Sequence, residues 1–102
     1  MSSRDLNELW DIVRGIPYGL CASYGDVARA LVNPVSGYTI GRWMAQAPEG
    51  VPWWRVVAKD GTLVIAKRNP EFGLIQRRHL EDEGVVFIGE QVDMGTYRYP
   101  LL

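Results

Sequence analysis

Residues 23–46 read SYGDVARALVNPVSGYTIGRWMAQ, and the punctuation of that stretch decides the fold. Ser23 followed three residues later by Asp26 has the spacing of a capping box, in which hydroxyl and carboxylate each satisfy a free backbone N–H at a helix start. Val27, Ala28 and Leu31 then mark a short apolar face. Asn33-Pro34 must end that helix, because proline disfavours helical geometry in the residue before it. Ser36 caps a second helix, running to about Gln46 and burying Ile40, Trp43 and Met44. Two short helices joined by a tight turn form a helix-turn-helix candidate. Taken alone the pattern is unspecific, since helical hairpins are common and most do not touch DNA.

Upstream, Leu6, Leu9, Trp10 and Val13 form one apolar stripe behind Ser2 or Ser3 as cap, with Gly15 as the stop. Ile16-Pro17-Tyr18-Gly19 reads as a turn, and Leu20-Cys21-Ala22 as a connector. Downstream, residues 47–52 are a loop. Trp54 to Ala58 and Leu63 to Ala66 then flank Lys59-Asp60-Gly61-Thr62, the signature of a β-hairpin that would make a wing. Asn69-Pro70-Glu71 opens a helix expected to reach about Glu83 and stop at Gly84, with Ile75, His79 and Leu80 as its apolar face. Val85 to Ile88 is a short strand candidate, and the aromatic tail Tyr97-Arg98-Tyr99-Pro100 should fold back on the domain. The expectation is one α/β domain over residues 1–102, winged helix-turn-helix-like, mostly helical with a short β-hairpin.

At 102 residues and 47% hydrophobic content the chain suits a single modest core. One cysteine excludes an internal disulfide framework and fits a reducing compartment. No h-region follows Met1, and no apolar run is long enough to span a bilayer, so the reading is a cytoplasmic monomer without membrane contact. The net charge of −1 hides an asymmetry. Residues 27–78 hold eight Lys or Arg against three acids, a net +5, whereas the two ends hold three against nine, a net −6. A basic middle can form one phosphate-binding face, and on charge alone an ordinary mixed surface fits equally well.

A search for catalytic chemistry finds little. Cys21 with His79 cannot supply the three or four ligands of a zinc site, no Gly-rich phosphate loop is present, and no cofactor is implied. Cys21, between Leu20 and Ala22, reads as a small buried residue. His79 reads as a packed histidine rather than a base, and Glu81-Asp82-Glu83 as a solvated acidic helix end. The unusual feature is Pro52-Trp53-Trp54-Arg55. Adjacent tryptophans in a strand point to opposite faces. One indole can join the core while the other packs or stacks on a nucleobase, and the spacing does not choose.

Ile16-Pro17-Tyr18-Gly19, Ser23-Tyr24-Gly25-Asp26-Val27-Ala28, Asn33-Pro34, Val51-Pro52-Trp53-Trp54-Arg55-Val56-Val57 and Glu83-Gly84 occur in that order. Together they resemble the C-terminal domain of O6-alkylguanine-DNA alkyltransferases, whose reactive motif is Pro-Cys-His-Arg-Val. The resemblance covers Leu6 to Gly84. Trp53 stands where the alkyl-accepting cysteine would be, Trp54 where its activating histidine would be, and Ala47 near an asparagine of the enzymes. Indole cannot replace a thiolate as nucleophile, so the resemblance implies no enzyme. Tryptophan for cysteine is the mark of the alkyltransferase-like proteins, which bind alkylated guanine in DNA without repairing it and hand it to nucleotide excision repair.

Carried over residue by residue, the resemblance implies DNA contacts from Tyr24, Ser36, Gly37, Tyr38, Thr39 and Arg42. Ser36 and Gly37 would let the recognition helix approach the minor groove, and Tyr24 would push on the target phosphate as the base turns out. Trp53, Val56 and Arg68, with Tyr24, would line the lesion pocket, Val56 beneath the base. Tyr38 occupies the place of the family's arginine finger. A tyrosine there can wedge between bases but lacks the guanidinium fork. The function implied is recognition of O6-alkylguanine in double-stranded DNA by base flipping, flagged for excision-repair proteins. The alternatives are a winged-helix DNA-binding or regulatory protein without lesion preference, and a catalyst using Cys21 as a substitute nucleophile.

Overall fold

A computed structural model describes residues 3–101. The first helix, α1 (Ser3–Arg14), buries Leu9, Trp10 and Val13 on the stripe their spacing predicts. Ser3 lies inside this helix, and Ser2, the other expected cap, lies outside the described residues. The helix-turn-helix pair follows as α2 (Tyr24–Ala30) and α3 (Gly37–Met44). Ser23 Oγ accepts the Asp26 N–H at 3.1 Å. The reciprocal half of the capping box is absent, because the Asp26 carboxylate turns away to Arg29 and to Arg98, the latter at 2.7 Å. Ser36 Oγ caps α3 by accepting the Thr39 N–H at 3.1 Å, and the helix closes at Ala45, short of the expected Gln46.

A small parallel sheet organises the rest. Strand β1 (Ala22–Ser23) pairs with β2 (Val56–Val57) in the register Ala22 with Val56 and Ser23 with Val57. Successive side chains of a strand face opposite ways, so the sheet divides the apolar residues into two cores. Ala22 and Val56 face α1, α2 and α3, packing with Leu9, Val13, Val27 and Ile40. Cys21 and Val57 face the other side with Leu63, Leu80, Val85 and Val92. The C-terminal tail folds back as expected. The Cys21 N–H donates to the Tyr97 carbonyl at 2.8 Å and the Tyr99 N–H to the Cys21 carbonyl at 2.7 Å, so the tail lies alongside β1.

The expected hairpin over residues 54–66 does not form. Its turn is present: the Ala58 N–H donates to the Thr62 carbonyl at 3.0 Å, and Asp60 Oδ1 accepts the Thr62 N–H. The arms go elsewhere. Val56 and Val57 pair with β1, and Ile65–Arg68 coil into a single helical turn, α4. The cause is at Gly61, whose φ is +90° and where a Cβ would stand 2.2 Å from the Val92 carbonyl oxygen. The chain leaves the turn pressed on residues 91–92, pairs Thr62 with Gln91, and has no strand partner at Leu63–Ala66. Tertiary contact overrides the β-propensity of Val64 and Ile65. The antiparallel hairpin of this fold is instead β3 (Phe87–Ile88) with β4 (Gln91–Val92), followed by the short α6 (Met94–Tyr97).

Helix α5 (Pro70–Asp82) is capped by Asn69 Oδ1, which accepts from Glu71 and Phe72. Its buried face is Gly73, Gln76 and Leu80; of the expected Ile75, His79 and Leu80 only Leu80 is buried, and Ile75 is 42% exposed. Gly73 is required here, since a Cβ would lie 2.4 Å from the Ala66 Cβ where α4 crosses α5. That crossing holds α4 against the mouth of the pocket described next.

Candidate functional site

Three of the motif stretches meet at one carboxylate. Glu83 is not the solvated helix end its neighbours suggest: its side chain is 5% exposed and Arg55's 13%. Glu83 Oε1 accepts the Gly19 N–H (2.8 Å) and Arg55 Nε (2.9 Å), while Oε2 accepts Arg55 Nη2 (2.9 Å) and Trp54 Nε1 (2.7 Å). Arg55 Nη1 donates onward to the Ile16 carbonyl at 2.9 Å. Burial alone would raise the Glu83 pKa, but the bonds from Arg55, Gly19 and Trp54 outweigh it and hold the carboxyl below its usual range. The result is a rigid 3-10 turn at Trp53–Arg55 rather than the expected strand. The two indoles stand nearly perpendicular, 82° apart with centroids at 6.0 Å. Trp54 stacks on His79 at 4.0 Å, and Trp53 is left facing the pocket.

That pocket has a volume of about 490 Å³, within the range of small-ligand sites. Its lining comes from α3 and its C-cap (Gly37, Tyr38, Gly41, Arg42, Met44 and Ala45), from Tyr24 of α2 and Trp53, and from Ala58, Lys59, Val64, Ile65, Arg68 and Gln76. Arg42, Lys59 and Arg68 have no ion-pair partner among the described residues, whereas Arg29, Arg55 and Arg77 are paired. The basic middle of the sequence is thus split: of its five cations without an ion-pair partner among the described residues, Arg42, Lys59 and Arg68 line this pocket, and Lys67 and Arg78 do not. Burial raises the Tyr24 pKa and the nearby Arg68 guanidinium opposes it, which places those two groups within electrostatic reach of each other.

Of the residues singled out by sequence, Tyr24, Gly37, Tyr38, Arg42, Trp53 and Arg68 come together in this pocket. Tyr38 is 69% exposed at its rim. Ser36 and Thr39 sit outside it: Ser36 caps α3, sharing a 3.0 Å hydroxyl contact with Thr39, and Thr39 lines a shallower depression with Arg42, Trp43 and Gln46. A Cβ on Gly37 would point at Gly25 N (3.4 Å) and Tyr24 Cβ (3.5 Å), so its missing side chain serves the α2–α3 approach first. Val56 is a correction. It is 0% exposed inside the first core and offers no side-chain surface to the pocket. Lys59 and Gln76 were missed as pocket residues; Gln76 lies three residues after Gly73 and four before Leu80, on their buried face, where a polar residue gives no local signal.

Cys21 does not reach the pocket. It is 0% exposed, and its thiol is pushed up to about 12 by burial, with Glu83 adding to the effect and Arg55 opposing it. At neutral pH it carries almost no thiolate, the form that attacks carbon. The reading of Cys21 as a substitute nucleophile is therefore set aside.

Sequence and structural comparison agree with this geometry. The family described as 6-O-methylguanine DNA methyltransferase, DNA binding domain, matches residues 6–85. The chain belongs to that family. It is 37% identical over 94 residues to the DNA base-flipping protein of Escherichia coli, covering 89% of this chain and 70% of that one. It is 37% identical over 97 residues to alkyltransferase-like protein 1 of Schizosaccharomyces pombe, covering 92% and 86%. The fold superposes on the crystal structure of S. pombe Atl1 in complex with damaged DNA containing O6-carboxymethylguanine, with a TM-score of 0.80, 28% identity and 97% of both chains covered. Within this family the chain is of the alkyltransferase-like kind, with Trp53 facing the pocket.

Proposed function

We propose that residues 1–102 act as one cytoplasmic DNA-binding domain that recognises O6-alkylguanine in duplex DNA without repairing it. The observation that carries this reading is Trp53 at the back of a cation-rimmed pocket, held there by the Trp54–Glu83–Arg55 lock. The helix pair α2–α3 would lie in the minor groove. Tyr24 would press on the phosphate, Tyr38 would enter the stack, and Trp53 with Arg68 would receive the turned-out base. Indole Nε1 is a donor only, so Trp54 bound to Glu83 has no acceptor with which to take a proton from any nucleophile. No thiolate is available either, so the bound base would be held unchanged and the complex would be the signal. Excision-repair proteins are the partners this implies; equal alkylation sensitivity with and without the gene in excision-deficient cells is the expected genetic result.

The deciding experiment is titration of a duplex bearing one O6-methylguanine against its undamaged twin at one salt concentration, with intact-protein mass measured afterwards. A preference of about tenfold or more, roughly 1.4 kcal/mol, with unchanged protein mass is expected. A mass gain equal to the alkyl group would overturn the absence of chemistry. The second reading, a general helix-turn-helix DNA binder without lesion preference, is favoured by Tyr38, which lacks the charge and donor fork of an arginine finger. Equal affinity for both duplexes would select it.

A further inference from the structure

The buried carboxylate of Asp26 is shared by two arginines from distant parts of the chain. Arg29, one turn further along α2, donates to Oδ1 through Nη2. Arg98, in the C-terminal tail, donates to Oδ2 through Nε (3.1 Å) and Nη2 (2.7 Å). One guanidinium neutralises the carboxylate, so the second leaves a surplus of one positive charge. The Asp26 side chain is 6% exposed, whereas those of Arg29 and Arg98 are 61% and 50% exposed. The surplus is therefore presented to solvent on two forks, and Nη1 of both and Nε of Arg29 have no partner among the described residues. Arg98 is fixed from its backbone as well, since the bonds of Tyr97 and Tyr99 to Cys21 hold the tail on either side of it. Arg29 lies over Gly25, where a Cβ would stand 3.4 Å from its Nη1, and Gly25 in turn abuts Gly37 of α3. The two guanidiniums thus sit at the end of the helix pair that carries Tyr24 and Tyr38, and neither lines the pocket.

We propose that Arg29 and Arg98 form a seat for one phosphodiester group of the DNA backbone, outside the lesion pocket, with Asp26 holding both forks in place. The inference rests on the DNA-binding part of the reading above. A phosphodiester carries one negative charge, which matches the surplus, and its two unesterified oxygens accept from planar guanidinium forks. Asp26 orients the donors before the phosphate arrives, so little side-chain freedom remains to be lost on binding. The C-terminal tail thereby joins the DNA interface. Arg98 lies outside residues 6–85, the stretch shared with the family, and the pairing of the tail with β1 brings it to α2. A backbone seat carries no lesion information; it sets affinity and the orientation of the helix pair on the duplex.

The test is titration of an O6-methylguanine duplex and its undamaged twin over a series of salt concentrations. The chains compared are the unaltered one, Arg29→Gln, Arg98→Gln, Arg98→Lys and Arg78→Gln. Arg29→Gln and Arg98→Gln should each weaken binding to both duplexes by the same factor and reduce the steepness of the log–log salt slope by about 0.9, the loss of one neutralised phosphate. Arg29→Gln leaves the Arg98 tie of the tail intact, so it reads the seat even where Arg98→Gln loosens the tail. Arg98→Lys keeps the charge beside Asp26 and should keep the slope. Arg78→Gln removes an equal charge from the exposed face of α5 and should also leave the slope unchanged. An unchanged slope in Arg29→Gln and Arg98→Gln would make Arg98 a tie for the tail alone and overturn the seat, with the lesion preference still standing. An equal change in Arg78→Gln would trace the effect to net charge and overturn the seat likewise. A shallower slope in both seat variants without any preference for the lesion would overturn the sensor reading and uphold the seat. Failure of the unaltered chain to bind either duplex would overturn both.

Discussion

Replacing Glu83 with glutamine should be the most damaging conservative change in this chain. The carboxylate is 5% exposed and accepts from three groups: the Gly19 N–H, the Trp54 indole and the Arg55 guanidinium, which it meets with both oxygens. Glutamine keeps one oxygen. Its NH2 must face either the Gly19 and Arg55 Nε donors or the Trp54 and Arg55 Nη2 donors, so two donor–donor contacts replace two hydrogen bonds whichever way it turns. Arg55, 13% exposed, also loses its counter-charge. Breaking one side of a buried pair typically costs about 3–5 kcal/mol. For a domain of this size each kcal/mol shifts Tm by about 4–8 °C, so a fall of at least about 12 °C is expected. Urea unfolding followed by tryptophan fluorescence reads the loss as a lower midpoint at unchanged slope. A cost below about 1 kcal/mol, the range of exposed pairs, would refute the idea that this ion pair locks the turn.

Acid should act through the same groups. Glu83 and Asp26 are both held below their ordinary values of 4.5 and 3.8, so the stability they add is complete above those values and is lost as pH falls through the lower folded ones. The urea midpoint should stay level from neutrality to about pH 5 and drop below about pH 4, and a Glu83→Gln chain should drop less steeply. Gly73→Ala should cost about 1–3 kcal/mol despite the better helix propensity of alanine, because its Cβ would meet the Ala66 Cβ at 2.4 Å; a neutral or stabilising result in thermal melts would mean that α4 moves aside freely. Trp53→Ala should lower affinity for an O6-methylguanine duplex more than for the undamaged one, since the indole would touch only the flipped base. Equal losses in the two titrations would make Trp53 a packing residue.

The helix-turn-helix was legible because its signals are local. Ser23, Asn33-Pro34 and Ser36 place the ends of α2 and α3 through bonds that span three residues or fewer. The hairpin was misplaced because its outcome is decided by distance. The Asp60-Gly61 turn forms as read, but Gly61 rests on Val92, and nothing within residues 54–66 announces that contact. The two tryptophans show the same division. Their separation into a half-buried ring packed on the second core and a pocket-facing ring is real, yet it arises from a 3-10 turn tied to Glu83, 29 residues from Trp54, and not from strand alternation. Spacing could gather Tyr24, Tyr38, Trp53 and Arg68 only through the family resemblance. Gln76 was invisible to both, because a polar residue on a helix is read as solvent-facing until the backbone it must satisfy is known.

The proposed recognition without chemistry would follow from how Trp54 and Glu83 use each other. A carboxylate that orients a proton-accepting ring can drive transfer; the same carboxylate bound to an indole N–H can only fix a position. Here it fixes the turn that carries Trp53 to the pocket, and in the proposed complex the energetics of an everted base would rest on physical binding. Taking a base from the stack costs a few kcal/mol, least at a damaged pair, and stacking on an aromatic returns about 1–3 kcal/mol. These terms nearly cancel at a lesion and do not cancel at an intact pair. The sign of the difference, and with it the preference, therefore turns on how weak the pair already is and on whether the pocket's donors find their counterparts. In the proposed complex, phosphate contacts from Arg42 and Lys59 would add affinity for every duplex equally and weaken with salt, by a log–log slope of about −0.9 per phosphate neutralised. Raising the salt should consequently weaken binding to lesion and intact DNA in parallel and leave their ratio unchanged.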